Sequence, residues 1–185
     1  MGIGILVCGL NGSGKSTFGK SLAEKLKFHF IDSEDLFFPK TDKNYLYANP
    51  RTKEEAKSLL LHDMVHYKNF VFSSVKGDYG TEVYPFFQCA ILIEVPKDIR
   101  MQRVRNRSYE KFGDRMEHGG DLYEREKSFF EIVKNRKENT VEEWIQCLKC
   151  PIIRIDGTKS TEENIEFVYT KSPVKVLFAP KSIIT

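Results

Sequence analysis

The 185-residue chain lacks the features that mark several protein classes. No apolar run approaches the roughly 20 residues needed to cross a bilayer, so a membrane partner is not expected. The net charge is only +3, and Lys and Arg are interspersed with Asp and Glu. No basic face can be traced, so a nucleic-acid partner is not expected either. There is no internal repeat and no low-complexity linker. No signal peptide precedes the first apolar run, which points to the cytoplasm. The four cysteines should then be reduced thiols rather than a disulfide framework. Cys147 and Cys150 form a C-x-x-C pair without a second pair, a weak metal or redox signal. The plainer reading is two thiols packed near a helix end before Pro151.

What is present is more telling. Hydrophobic content of 41% and charged content of 30% suit one soluble domain with its own core. The run Ile3-Gly4-Ile5-Leu6-Val7-Cys8 reads as a buried strand. Gly9-Leu10-Asn11-Gly12-Ser13-Gly14-Lys15-Ser16 follows it, and Thr17 to Phe28 carries apolar residues at helical spacing. Strand, glycine-rich turn and helix are the context of a phosphate-binding loop. Gly9, Gly12 and Gly14 let backbone N–H groups curl around phosphate oxygens, with Asn11, Ser13 and Thr17 in the same cradle. The helix start adds its positive dipole end. Lys15 is spaced to reach the β- and γ-phosphates of ATP, and the Ser16 hydroxyl to hold Mg²⁺.

Strands and helices alternate along the rest of the chain. Strands are expected at 28–31, 70–73, 89–95 and 152–155, and helices at 53–67, from 98, at 123–134, 140–148 and 162–169. Ser33 reads as the cap of a short helix after the second strand. Five strands separated by helices predict an α/β three-layer sandwich: a five-stranded parallel sheet with helices on both faces. Residues 1–170 make one domain, and 171–185 a tail whose segment 174–178 reads equally as an edge strand or a loose end.

Ligands bind at the carboxyl ends of such strands, where other candidates gather. Asp32 and Asp35 follow the second strand and could hold Mg²⁺ or orient an attacking hydroxyl. Asp35 also reads simply as a first-turn acid. Asp78, between Gly77 and Gly80, faces the same mouth. Arg51 is placed to receive an anionic acceptor. Arg103 and Arg107 are four apart and share a helix face. The glycine-rich stretch 111–121 reads as a short mobile lid carrying Arg115. The plainer alternatives are a solvated basic helix and a surface loop.

The Gly9–Thr17 loop, the Asp32/Asp35 pair, the Arg-rich helix, the lid and Ile155-Asp156-Gly157-Thr158 together resemble the small P-loop kinases. These are the nucleoside monophosphate kinase and shikimate kinase relatives, among them AAA-family ATPase-like proteins. The resemblance covers the chain up to about Tyr169. It implies a P-loop NTPase fold, ATP and Mg²⁺ as cofactors, and a small-molecule phosphoryl acceptor met by a monomer or homodimer. It also implies that Gly157 and Thr158 neighbour the adenine, that Arg107 and Arg115 contact the transferred phosphate, and that Arg136 meets the acceptor. The Thr-Gly-Asp and Asp-Gly-Phe-Pro-Arg stretches of adenylate kinases are absent, as is the Gly-Gly-Gly turn of shikimate kinases. The acceptor is therefore left open. An NTP hydrolase or a nucleotide-binding regulatory module is the alternative.

Because Lys15 neutralises phosphate charge rather than filling the core, Lys15→Ala should leave the fold intact and cut turnover by about 10²-fold or more. Circular dichroism and steady-state rates check both halves of that expectation.

Overall fold

The computed structural model describes residues 2–170. Its strands are β1 Gly4–Cys8, β2 His29–Asp32, β3 Phe70–Ser74, β4 Phe87–Glu94 and β5 Ile152–Asp156. They form one sheet in the order β2-β3-β1-β4-β5, and every pairing is parallel. The helices are α1 Lys15–Leu26, α2 Ser33–Phe37, α3 Lys53–His66, α4 Lys97–Phe112, α5 Tyr123–Asn135, α6 Thr140–Ile145 and α7 Thr161–Thr170. The expected three-layer α/β sandwich is what forms.

The central strand shows why. Every residue of β1 is buried, as its unbroken apolar run requires of a strand covered on both faces. Leu6 and Cys8 pack with Ala56, Leu60 and Met64 of α3 and with Val141 and Ile145 of α6. Ile5 and Val7 point the other way, onto Phe18 and Leu22 of α1 and Ile165 and Val168 of α7. Alternation of side chains along the strand thus divides the core into two layers. In α3 the apolar stripe is narrower than the sequence suggests: Leu59 and Val65 stay exposed. α6 ends at Ile145, three residues early, and leaves Cys147 exposed with its thiol on the Trp144 carbonyl.

Asp32, not Ser33, caps α2; its Oδ1 accepts from the Glu34 N–H at 2.9 Å. The carboxylate at the end of β2 is therefore already held in place. The segment 171–185, including 174–178, lies outside the described residues.

Two helix starts differ in a way that matters for function. α3 carries a complete capping box between Thr52 and Glu55. α1 begins at Gly14 with no side-chain cap and no acid in its first turn. Its leading N–H groups and dipole end therefore remain open to an external anion.

The loop before α1 is held from above by α4. Arg100 is buried, and its guanidinium donates to the Val95 carbonyl at 3.0 Å, the Asn11 carbonyl at 3.4 Å and Glu138 at 2.6 Å. Gly12, at φ +81°, lies so close that a Cβ there would come within 2.3 Å of the Arg100 carbonyl oxygen. Replacing Arg100 with leucine removes charged hydrogen bonds and orphans two carbonyls. It should destabilise the protein by about 2–3 kcal/mol, readable as a lower urea midpoint at constant m-value.

Candidate functional site

The site is built around the turn from β1 into α1. Gly12 and Gly14 adopt φ of +81° and +90°, and nothing lies within 4 Å of where a Gly14 Cβ would project. That vacant side and the uncapped amides of α1 form a concave donor surface. Ser13 is buried, and its Oγ has no partner among the described residues. An orphaned hydroxyl in a glycine cradle fits a phosphate-binding loop, where an anion supplies the missing acceptor.

Lys15 stands at the head of the cradle. Its side chain as a whole is partly exposed, but the ammonium is withdrawn far enough for burial to lower its pKa to about 8. Asp32 and Glu34 oppose that fall, while Arg107 and Arg136 add to it. The Ser16 hydroxyl lies 3.5 Å from that of Ser73, and Ser73 is the register partner of Asp32. Ser16, Ser73 and Asp32 thus bring hard oxygen atoms together beside the loop, a donor set suited to Mg²⁺.

Two cavities of about 310 Å³ each flank the loop. One is bounded by Ser13, Gly14, Thr17, Arg103 and Gly157. Arg103 donates to the Gly157 carbonyl at 3.0 Å. Gly157 thus lines this cavity, whereas Thr158 turns back onto Asp156 through both its amide and its hydroxyl. The other cavity is bounded by Asn11, Lys15, Ser16, Asp32, Glu34, Arg107 and Glu126, with aromatic walls from Phe37, Phe38, Tyr45, Tyr47 and Phe129. A further cleft between β5 and α7, lined by Arg154, Lys159 and Phe167, lies away from the loop.

The second of these flanking cavities gathers Lys15, Ser16, Asp32 and Arg107, whereas Asp35, Arg51, Asp78 and Arg136, expected at the same site, lie off its lining. Asp35 is mostly exposed and pairs with Lys40; it does not line the cavity. Its neighbour Glu34 does, because a helix turn of about 100° per residue aims only one of two adjacent acids inward. Arg51 donates to the carbonyls of Asp35 and Leu36, so it props the end of α2. Asp78 pairs with Lys76, and the space beside it is filled by buried Tyr79 packed on Phe37 and Phe72. Arg136 donates to the Asn11 side chain at 3.0 Å, beside the loop rather than in the cavity.

The lid segment is also more anchored than its glycines suggest. α4 runs on to Phe112, which is buried against Tyr45 and Tyr47, and buried Leu122 holds the far end. Arg115 forms a two-pronged exposed pair with Asp121, at 2.9 and 2.6 Å, and stands outside the cavity.

Residues missed in the sequence are those of the cavity's walls. Glu34 accepts from the Tyr47 hydroxyl at 3.2 Å and lies 3.5 Å from Lys111 and 4.0 Å from Arg107. Glu126 is buried and accepts from the Tyr45 hydroxyl at 3.1 Å. Burial, followed by the Glu126 charge, pushes the Tyr45 phenol up to about 12. The available signal was the Tyr45-Leu46-Tyr47 triplet inside an otherwise polar loop, since aromatic residues there need a reason to be kept.

Comparison with known proteins accords with this geometry. The sequence matches the AAA domain model AAA_18 over residues 5–134, from β1 into α5. The chain belongs to the AAA domain family. This AAA domain is 26% identical over 172 residues to the uncharacterized protein YqaC of Bacillus subtilis (strain 168), covering 89% of this chain and 94% of YqaC. Its fold is that of the P-loop kinases. A gluconokinase from Sinorhizobium meliloti 1021 superposes with a TM-score of 0.53 at 16% identity, covering 89% of this chain and 87% of that one. A deoxyadenosine kinase from M. mycoides gives 0.53 at 16% identity, covering 91% and 98%. The two are named for chemically different acceptors, so the likeness shows the fold and leaves the acceptor to the cavity.

Withdrawal of the Lys15 ammonium has a thermodynamic consequence. Its folded pKa lies below the unfolded value of 10.5, so the folded ligand-free AAA domain binds fewer protons between about 8 and 10.5. Stability should rise with pH through that window as far as Lys15 contributes. An anion in the cradle restores the charged form. ADP binding should therefore take up about half a proton at pH 8, and more toward pH 9. Titration calorimetry in two buffers of different ionisation enthalpy measures this; zero uptake at pH 8.5 would contradict the buried ammonium.

Proposed function

We propose that this AAA domain is an ATP-dependent phosphotransferase that moves the γ-phosphoryl group to a small-molecule acceptor. The observation that carries this reading is the second cavity. A nucleotide hydrolase needs only room for water beside the loop, whereas here about 310 Å³ of walled space opens directly onto Lys15, Ser16 and Arg107. Such a space suits a small organic acceptor.

The parts then take distinct roles. The amides of α1 and the Lys15 ammonium hold the phosphates. Ser16 and Asp32 hold Mg²⁺, which when bound neutralises charge on the β- and γ-oxygens. The cavity beside Arg103 and Gly157 receives the base of the nucleotide. Glu34 takes the place first given to Asp35: it lies on the acceptor side, close enough to Lys15 to act on its charge, and orients the acceptor hydroxyl. Arg107 faces the same cavity and stabilises charge on the group in flight.

ATP consumption with and without pooled nucleosides, nucleotides and hydroxy acids tests the reading. Acceptor-dependent turnover supports a kinase, acceptor-independent turnover selects a hydrolase, and binding without turnover selects a regulatory module. In the active enzyme, Arg107→Ala should lower kcat by ~10²-fold or more, with a smaller change in KM for ATP. A kcat within about twofold of wild type removes Arg107 from the mechanism.

A further inference from the structure

The cavity that the proposed kinase reaction assigns to the acceptor has an unusual charge arrangement. Among its lining residues, Asp32, Glu34 and Glu126 face only two cations, Lys15 and Arg107. Those two stand at the phosphate end. Arg136, the C-cap of α5, touches Asn11 of the loop, and Glu126 lies on the first turn of the same helix, roughly 15 Å back along its axis at 1.5 Å per residue. Glu126 therefore marks the end away from the loop. Glu126 is 2% exposed, no cation lies within 4 Å of it among the described residues, and the Tyr45 hydroxyl donates to it at 3.1 Å. A buried carboxylate offers about four acceptor positions, and one tyrosine satisfies one of them.

The neighbouring cations cannot serve an acidic acceptor without giving up present partners. Lys111 contacts Glu34 and the Tyr47 hydroxyl, and Lys40 contacts Asp35 and Glu34. Arg125 lies over the Tyr45 ring, and Arg115 pairs with Asp121. An anion placed between Glu34 and Glu126 would meet two carboxylates in a site already receiving nucleotide phosphates. Juxtaposed like charges disfavour binding. The walls meanwhile offer aromatic rings: Phe38 and Tyr47 meet edge to face at 5.1 Å, and Tyr45 and Tyr47 at 5.6 Å, with Phe129 also on the lining. Rings of this kind suit a flat ligand.

We infer that the acceptor is an uncharged nucleoside whose ring carries an amino group: the ring lies among the aromatic walls, its N–H donates to Glu126, and its hydroxyl is directed by Glu34 toward the loop. This inference rests on the phosphotransferase reading. In the transfer, the acceptor oxygen forms a bond to the γ-phosphorus, the bond from that phosphorus to the bridging oxygen of ADP breaks, and the hydroxyl proton leaves to solvent by way of Glu34.

The test uses the full chain with ATP and Mg²⁺. Cytidine, adenosine and their deoxy forms are compared with the corresponding 5′-monophosphates and with hydroxy acids. Amino-bearing nucleosides should be phosphorylated, and the monophosphates and acids should not. Glu126→Gln keeps the shape of the side chain but adds a donor. It should raise KM for cytidine about 10–100-fold, the range for losing a hydrogen bond to a charged group, and shift preference toward uridine, whose C4 carbonyl oxygen can accept. ADP affinity should stay unchanged. Efficient phosphorylation of an acid or monophosphate overturns the inference while leaving the kinase reading intact, and so does an unaltered cytidine-to-uridine ratio in Glu126→Gln. Turnover that no acceptor stimulates overturns both.

Discussion

An uncapped helix start at the end of a fully buried strand is the constraint on which this molecule is organised. Leaving the first amides of α1 without side-chain partners and withdrawing the Lys15 ammonium from water both oppose folding of the free protein. The opposing stabilisation comes from β1, every residue of which is packed between helices on two faces. Buried strand and exposed donor surface are therefore two ends of one device. The core holds the chain up to Cys8 rigid, and the glycine turn that follows can present its amides without collapsing onto them.

α4 is the second organiser. Residues three and four apart on a helix share a face, and this helix uses that spacing to serve three places. Arg100 is buried and ties the loop backbone to the end of β4. Arg103 reaches Gly157 beside one cavity, and Arg107 lines the other. At its end, Phe112 packs into the aromatic wall. A basic run that in isolation has a solvated helix as its plainer alternative is thus divided between structure and site. The split follows from where each side chain lands: Arg105, on another side of the helix, lies over the Phe130 ring.

Much of the fold was legible because its signals are local. Short apolar runs marked all five strands, three of them closed by glycine or proline, and their separation by helices favoured parallel pairing. The strand–turn–helix context located the phosphate loop. The cavity beside Lys15 and Arg107 was not legible in the same way. Its walls come from α2, the loop at 38–52, α4 and α5, which meet only in three dimensions. Asp35 and Glu34 are adjacent acids that no spacing rule separates, and their roles depend on which one the short helix turns inward. Arg51 and Arg115 carry the charge a phosphate site needs, yet each is engaged by a partner elsewhere, while Arg136 is held beside the loop by the Asn11 side chain.

The amino-acid sequence by itself determined the order of elements, the parallel sheet and the position of Gly9 to Ser16 at the end of β1, since periodicity and glycine placement act over a few neighbouring residues. Only the tertiary structure decided the strand order β2-β3-β1-β4-β5, the choice of Glu34 over Asp35, and the meeting of Tyr45 with Glu126 across 81 residues of chain. Contacts of that range are set by how helices pack over the sheet, and the pattern of any one segment carries no record of what will stand opposite it.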